Sequence, residues 1–182
     1  DGKIEAIKYA RNNKIPFLGI CYGMQMAIIE FARNKLNLKK ATSSEFDKKG
    51  VPIIGLINEW KKDGKTIKGT DKDLGGTMRL GSYDAKLKEN SMIKKIYKKN
   101  VIKERHRHRY EVNIAYKEKF EKNGMIFSGL SPDGELPEII ELRNHPWFIG
   151  VQFHPEFKSR PLAPHPLFSS FIKASKNHKW IV

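Results

Sequence analysis

The sequence predicts an α/β domain in which a mostly parallel central sheet is flanked by helices, with additional antiparallel strands. A short apolar run at residues 16–20 lies between two segments whose apolar residues repeat at helical spacing. Further short apolar runs in the second half are separated by turn residues, which is typical of hairpins. The length of 182 residues suits one domain with a sizeable core.

The N-terminal elements follow from this spacing. Residues 1–13 form a predicted helix with Ile4 and Ile7 on one stripe, residues 16–20 a buried strand, and residues 24–33 a second helix. The next segments are less regular: 42–46 is a predicted polar loop, 52–57 an apolar run of uncertain type, 60–73 an exposed loop, and 74–81 a glycine entry into a strand-like stretch. Gly75-Gly76 could cradle a phosphate, although no helix signal follows.

Residues 101–113 alternate as an extended strand does. Its two faces carry Arg105, Arg107 and Arg109 on one side and His106, His108 and Tyr110 on the other. Three interpretations compete: a cationic strand for nucleic acid, a His-x-His metal pair, and an anion-binding strand in a substrate pocket, where an arginine would hold a carboxylate with two hydrogen bonds.

The C-terminal part alternates predicted strands and turns. Strands are expected at 125–129, 138–142 and 148–153, turns at 131–134 and 144–146, a closing helix at 167–175 and an exposed tail at 176–182.

Composition narrows the class of protein. The net charge of +15 suggests a polyanion as a partner. The lysines are dispersed, however, and no nucleic-acid motif accompanies them, so the favoured interpretation is that they are solvated surface residues. A single cysteine excludes an internal disulfide and favours a reducing, cytoplasmic compartment. No apolar run is long enough to cross a bilayer.

The apolar run at 16–20 leads directly into Cys21, which lies between Gly19 and Gly23. A nucleophile on a tight strand-to-helix turn needs neighbours without side chains, and this spacing supplies them. The following helix would place its N-terminus at the sulfur and favour the thiolate. The alternative is an ordinary core cysteine that happens to lie between glycines.

A second stretch carries His154-Pro155-Glu156 at the end of a predicted strand. The residue before proline is held extended, and positions two apart then share a face. Glu156 can therefore hold the His154 imidazole in one tautomer while its other nitrogen faces a nucleophile. On its own such a turn is more often structural. With the cysteine elbow it becomes a candidate Cys21–His154–Glu156 triad.

These two stretches resemble class-I, triad-type glutamine amidotransferases, whose fold is flavodoxin-like. The segments 58–60, 75–81, 104–113 and 153–161 further resemble the amidotransferase domain of the CTP synthase family, and the likeness runs from Gly2 to about residue 174. The resemblance implies that Cys21 attacks glutamine, His154 moves the proton and Glu156 orients His154. It assigns L-glutamine binding to Tyr22, Gly23, Met24, Gln25, Glu45, Arg109 and Tyr110, and a lid or a GTP response to Arg79.

For the family's full enzyme, the resemblance implies a synthase domain of the same polypeptide that aminates UTP to CTP with ATP and Mg²⁺, GTP as activator, and a tetramer. It implies no cofactor or metal in this domain. The family has leucine where this chain has Tyr22. Residues 1–182 are expected to be a partial amidotransferase domain, lacking the family's N-terminal segment with one oxyanion donor and the synthase domain. Loss of one such donor lowers the rate about 10²–10³-fold, so weak or absent activity is expected for the isolated chain.

Two other functions remain open from the sequence. One is a hydrolase of γ-glutamyl amides that does not channel ammonia, and the other is a basic interaction module without activity. Insensitivity to GTP would indicate the first, and a nucleic-acid affinity far above that of a protein of equal charge would indicate the second.

Overall fold

The computed structural model describes residues 1–56 and 78–178. Its helices are α1 Gly2–Asn12, α2 Tyr22–Lys35, α3 Met92–Tyr97, α4 Lys117–Lys122 and α5 Pro166–Asn177. Its strands are β1 Phe17–Ile20, β2 Ala41–Ser43, β3 Val51–Leu56, β4 Arg79–Leu87, β5 Val101–His108, β6 Tyr110–Val112, β7 Met125–Leu130, β8 Pro137–Leu142 and β9 Phe148–Val151. The motif at 58–60, the predicted loop at 60–73 and the Gly75-Gly76 pair lie outside the described residues.

The strands form two sheets. Six of them lie in the order β1-β9-β8-β7-β4-β5, and a smaller sheet has the order β2-β3-β6. The first strand, β1, pairs in parallel with β9, so residues near the start of the chain lie beside residues near its end. That pairing places the predicted nucleophile and the predicted histidine just after the ends of two neighbouring strands.

The α/β class and the flanking helices are confirmed, but the predominance of parallel pairing is not. Among the described strands, only β1 with β9 and β2 with β3 are parallel, and the other pairs are antiparallel. The reason is the length of the connections. The turns after β7 and β8 are too short for the crossover that a parallel pair needs, so β7, β8 and β9 fold back on one another.

Helices cover both faces of the six-stranded sheet. One face packs against α1, α2 and α4 through side chains such as Ile7, Ile28 and Phe120. The other packs against α3 and α5, through Ile93 and Leu167. Side chains of successive strand residues alternate between the two cores, as the period of a pleated strand requires. The central strands β8 and β9 are therefore buried along their whole length.

Two short helices are not predicted from the sequence. Helices α3 and α4 have six residues each, too few for a clear helical period. The N-terminus of helix α3 is capped by two side chains. Ser91 accepts from the Lys94 N–H, and the buried carboxylate of Glu141 accepts from the N–H groups of Met92 and Ile93. These bonds satisfy backbone donors that a helix start leaves open.

Two sequence predictions are corrected in this part of the fold. Residues 42–46 are not all loop, because Thr42 and Ser43 lie in β2, where pairing with β3 satisfies their backbone. The alternating strand at 101–113 is two strands: β5 ends at His108, and β6 starts at Tyr110 in the smaller sheet. Arg109 lies at this break and so does not continue the Arg105–Arg107 face. No helix within the described ranges has the length and apolar character to span a membrane.

Candidate active site

The turn between β1 and α2 has the strained geometry expected of a nucleophile elbow. Cys21 has φ 49° and ψ −101°, a left-handed φ that a non-glycine residue rarely adopts. A Cβ on Gly19 would lie 2.8 Å from the carbonyl carbon of Gly23, so the prediction for Gly19 is confirmed. The prediction for Gly23 is wrong, because a Cβ there would meet nothing within 4 Å. Gly23 matters here through its backbone, which a Cβ on Gly19 would contact.

The Cys21 thiol is partly buried, and its surroundings keep it protonated. Burial, and after it the charges of Glu111 and Glu156, raise the pKa of the thiol to about 11. The Tyr22 backbone N–H and the Gln152 side chain, 3.6 Å from Sγ, act in the opposite direction. The expectation that the helix N-terminus alone would favour the thiolate is therefore wrong for the free protein, since burial outweighs it.

The pairing of β1 with β9 brings the triad candidates to the same end of the sheet. Ile20 lies opposite Val151, and the Cys21 N–H donates to the Val151 carbonyl at 2.7 Å. His154 follows three residues beyond Val151, and its Nδ1 lies 2.6 Å from Glu156 Oε1, so the predicted carboxylate–imidazole contact is confirmed. His154 Nε2 is buried, and among the described residues it has no hydrogen-bond partner.

The predicted glutamine-binding residues surround the start of α2. Gln25 is buried, and its amide nitrogen donates to the Tyr110 carbonyl at 2.9 Å. The exposed ring of Tyr22 packs edge-on against Phe46 at 6.0 Å, which puts the neighbouring exposed Glu45 on the same side. Arg109 is half-buried, directly before Tyr110.

Gly23 and Met24 occupy the first turn of α2. The side chain of Met24 is fully buried in the core, so the structure leaves only its backbone to face a ligand.

Arg79 is placed differently from the expectation of a lid residue. It lies in β4 and is 6% exposed, and its guanidinium donates to Glu111 at 3.1 Å and to Glu138 at 2.8 Å. Two buried carboxylates hold it in place because an unpaired buried charge is costly. It is a fixed part of the sheet in this structure.

Among the described residues, the His-x-His pair has no third ligand with which to form a metal centre. The two imidazoles contact each other, with His106 Nδ1 2.8 Å from His108 Nε2. Within the residues that the structure describes, no group of three or more His, Cys, Asp or Glu side chains is arranged to hold a metal ion. Burial lowers the pKa of both imidazoles, to about 2 for His106 and about 3 for His108.

Sequence reasoning missed two residues near the sulfur. Gln152 is fully buried, and its amide links Cys21 to Gln25: Nε2 lies 3.6 Å from Sγ, and Oε1 accepts from Gln25 at 3.2 Å. Glu111 is also fully buried, and its charge acts on the thiol. For Gln152 the available signal was its place directly after the apolar strand Phe148–Val151, since a glutamine is rarely buried without a partner. Glu111 lies among charged residues of the segment 101–113, and no comparable signal marks it in the sequence.

Comparisons with known proteins agree with this arrangement. The family model of class-I glutamine amidotransferases matches residues 1–174. The chain therefore belongs to the class-I glutamine amidotransferases, the class that the fold and the cysteine elbow define. Within that family it corresponds to the glutaminase domain of the CTP synthases, as three similar proteins indicate.

Two of the three are similar in sequence. The chain is 89% identical over 179 residues to a CTP synthase of Pelagibacter ubique, covering 98% of this chain and 33% of that protein. It is 61% identical over 183 residues to a CTP synthase of Zymomonas mobilis, covering 100% of this chain and 34% of that protein. The chain thus spans about a third of the length of these curated relatives.

The third is a solved structure, the glutaminase domain of Trypanosoma brucei CTPS with bound acivicin. It superposes with a TM-score of 0.85 at 36% identity, covering 100% of this chain and 67% of that one.

Proposed function

We propose that this chain hydrolyses the side-chain amide of L-glutamine, with Cys21 as nucleophile, His154 as general base and acid, and Glu156 as the group that orients His154. One observation carries the proposal: the strained cysteine elbow ends a strand paired in parallel with the strand that leads to a carboxylate-held imidazole. This is the nucleophile–base–orienter arrangement of acyl transfer.

The reaction follows from these groups. As Sγ of Cys21 attacks the amide carbon of glutamine, Nε2 of His154 takes the thiol proton. His154 then gives that proton to the departing nitrogen, so that ammonia leaves and a γ-glutamyl thioester remains. A water molecule, deprotonated by Nε2 of His154, then attacks the thioester. Glutamate is released, and the Cys21 thiol is restored as it takes the proton back from His154. Because the pKa of the thiol is about 11, its proton must move to His154 during the attack.

Substrate binding uses the surroundings of α2. The Gln25 amide N–H groups already donate to the Tyr110 carbonyl and to Gln152 Oε1, so the atom that Gln25 can offer the substrate ammonium is its side-chain carbonyl oxygen. Glu45 adds a carboxylate for the same ammonium, and Arg109 grips the α-carboxylate beside the Tyr110 backbone. The N–H groups at the start of α2, from Tyr22 to Met24, face the acyl group.

For the full-length protein we propose the reaction that the relatives' name gives, the synthesis of CTP. Ammonia from this site would aminate UTP on a synthase domain of the same polypeptide, with ATP and Mg²⁺, under activation by GTP, in a tetramer.

The nucleophile is tested by labelling with acivicin, the compound bound to the similar T. brucei domain. Intact-mass measurement should show one adduct on the wild-type protein and none on Cys21→Ala. His154→Ala should slow labelling, while Glu104→Gln, a buried carboxylate on β5, should label like wild type. An adduct that persists on Cys21→Ala contradicts the assignment of the nucleophile.

The substrate contacts are tested by steady-state kinetics. Glu45→Gln and Arg109→Lys should each raise KM for glutamine more than they lower kcat, because they remove interactions present in both ground state and transition state. An unchanged KM would exclude the residue from binding.

A further inference from the structure

A continuous hydrogen-bonded chain leads from the Cys21 sulfur into the interior of the protein. Gln152 Nε2 lies 3.6 Å from Sγ, and Gln152 Oε1 accepts from Gln25 Nε2 at 3.2 Å. The same Gln25 nitrogen donates to the Tyr110 carbonyl at 2.9 Å. That carbonyl also lies 3.2 Å from His108 Nδ1. The thiol is thus connected through two amides and one carbonyl to an imidazole.

The chain then continues through two imidazoles to a carboxyl group. His108 Nε2 lies 2.8 Å from His106 Nδ1, and His106 Nε2 lies 3.5 Å from Glu138 Oε2. The side chains of both histidines and of Glu138 are almost completely buried. No described residue donates a hydrogen bond to Glu138 Oε2, although His106 Nε2 lies beside it. Buried polar groups are satisfied by hydrogen bonds, so within the described part of the chain the hydrogens of this segment come from its own members.

Counting hydrogens along this segment gives a definite result. Tyr110 O and Glu138 Oε2 are the two end groups, and neither an ionised carboxylate nor a carbonyl carries a hydrogen. Three contacts separate them: Tyr110 to His108, His108 to His106, and His106 to Glu138. Each contact needs one hydrogen, and two neutral imidazoles supply only two.

We infer that one further proton is bound at Glu138 Oε2 and donated to His106 Nε2, so that His106 and His108 both carry their hydrogen on Nδ1 and orient the Tyr110 carbonyl towards Gln25. Glu138, His106 and His108 are then positioning residues for the site around Cys21. This role rests on the proposed glutaminase function, whereas the location of the proton does not.

The charges around the segment support the extra proton. Arg79 is paired with both Glu111 and Glu138, so one cation faces two buried carboxyl groups. One bound proton makes the three groups neutral together, and a buried cluster with uncompensated charge is costly. Burial raises the pKa of both carboxyls, to about 8 for Glu111, and lowers the pKa of the two imidazoles.

Hydrogen-bond direction decides which carboxyl holds the proton. Both carboxyl groups accept from Arg79 through Oε1, Glu111 at 3.1 Å and Glu138 at 2.8 Å, and among the described residues neither Oε2 has a hydrogen-bond partner. The two groups differ in what Oε2 of Glu138 faces. Glu138 Oε2 faces His106 Nε2 at 3.5 Å, and this nitrogen carries no hydrogen because the hydrogen of the ring is on Nδ1, which donates to His108. A proton on Glu138 Oε2 can therefore be donated to His106 Nε2. Further charges act on the segment as well: Asp133 raises the pKa of Glu138, and His154, when charged, lowers the pKa of His106 and His108.

Spectroscopy of the protein tests the proton directly. In protein labelled with ¹⁵N-histidine, long-range ¹H–¹⁵N spectra at neutral pH should show His106 and His108 as neutral rings with hydrogen on Nδ1. The infrared spectrum should contain a protonated carboxylic acid band that disappears in Glu138→Gln and persists in Glu104→Gln, a matched buried glutamate. An imidazolium at either position, an Nε2–H tautomer at His106, or an unchanged band would overturn the inference, whether or not the protein hydrolyses glutamine.

The positioning role is tested by kinetics. Glu138→Gln supplies an amide N–H in place of the acid hydrogen, and should keep KM for glutamine near the wild-type value at neutral pH. Glu138→Ala leaves the His106 nitrogen without a donor and should raise KM about tenfold, the size expected for one lost buried hydrogen bond. Equal KM values for the two variants would overturn the positioning role, and Glu104→Gln controls for the replacement of a buried carboxyl group by an amide.

Discussion

Nδ1 of His154 lies 2.6 Å from Oε1 of Glu156, across a single intervening proline. His154 keeps an extended backbone, with φ −112° and ψ 90°, and Pro155 begins the one-turn 3-10 helix Pro155–Lys158 that returns the carboxylate towards the ring. The imidazole also stacks on Phe157 at 5.2 Å. Two contacts from one turn therefore fix the ring, and the carboxylate requires a hydrogen on Nδ1, which leaves Nε2 as the basic nitrogen.

Glu156→Ala should lower kcat for glutamine hydrolysis by about 10²-fold, since the ring loses the contact that sets its tautomer. KM should change less, because Glu156 is not a substrate contact in the proposed site. Steady-state kinetics measure both values. Glu118→Ala, which removes an exposed carboxylate on α4, serves as the control. A kcat equal to that of the wild type would remove Glu156 from the triad.

The raised pKa of Cys21 predicts how the free protein reacts with an alkylating agent. The thiolate is the reactive form, so the rate of iodoacetamide alkylation should rise with pH towards a midpoint near 11. Glu156→Gln removes one of the charges that disfavour the thiolate, so its midpoint should lie lower. A wild-type midpoint at or below about 8.5, the ordinary value for cysteine, would contradict the structure.

The two glycines of the elbow should respond differently to alanine. Gly19→Ala places a Cβ 2.8 Å from the backbone of Gly23, which cannot move without disturbing the start of α2, so both stability and acivicin labelling should fall. Gly23→Ala meets no atom within 4 Å and should unfold at nearly the wild-type temperature. Thermal unfolding of the pair is the measurement, and equal losses in both variants would count against the elbow geometry.

The carboxyl pair around Arg79 predicts a pH dependence of stability. Burial raises the pKa of Glu111 to about 8 in the folded protein, and that of Glu138 is also raised, so the folded state binds a proton that the unfolded state releases above about pH 4.5. The stabilisation is complete below that pH and is lost as the pH rises towards 8. The free energy of unfolding should therefore fall by up to about 1.4 kcal/mol per pH unit in this window.

Urea unfolding at several pH values measures this slope. Glu138→Gln should flatten it, because the remaining Arg79–Glu111 pair is balanced without an extra proton. Glu118→Gln, on the surface of α4, should leave it unchanged. The prediction would be contradicted if the free energy of unfolding rose with pH between 5 and 8 and this rise disappeared in Glu138→Gln.

Local patterns in the sequence predicted much of the fold. The period of α1, α2 and α5 and the apolar runs of β1, β7, β8 and β9 all gave elements close to those observed, because each pattern reflects burial of one face. The balance of parallel and antiparallel pairing was not predictable in the same way, since it depends on which strands meet. The break at Arg109 was missed for a related reason: alternation continues through it, while the chain passes from one sheet to the other.

In the candidate site, too, the features that are local in the sequence were predictable and those that depend on the tertiary fold were not. Glycine spacing and the His-Pro-Glu turn are local, and the contact between His154 and Glu156 was predicted from the sequence. The surroundings of the thiol are not local: Gln152 and Glu111 act on Cys21 only through the tertiary fold, where the Gln152 hydrogen bond lowers the pKa of the thiol and the Glu111 charge raises it. The buried position of Arg79 likewise depends on partners in β6 and β8.

The parallel pairing of β1 with β9 also has a consequence for biosynthesis. The sulfur emerges from the ribosome well over a hundred residues ahead of its imidazole, and the strand that carries it has no described neighbour in the large sheet until residues 148–151 have been made. An unfinished or prematurely terminated polypeptide thus holds a thiol without its base. In the proposed mechanism, glutamine hydrolysis therefore requires that translation has passed Glu156, the last of the three groups.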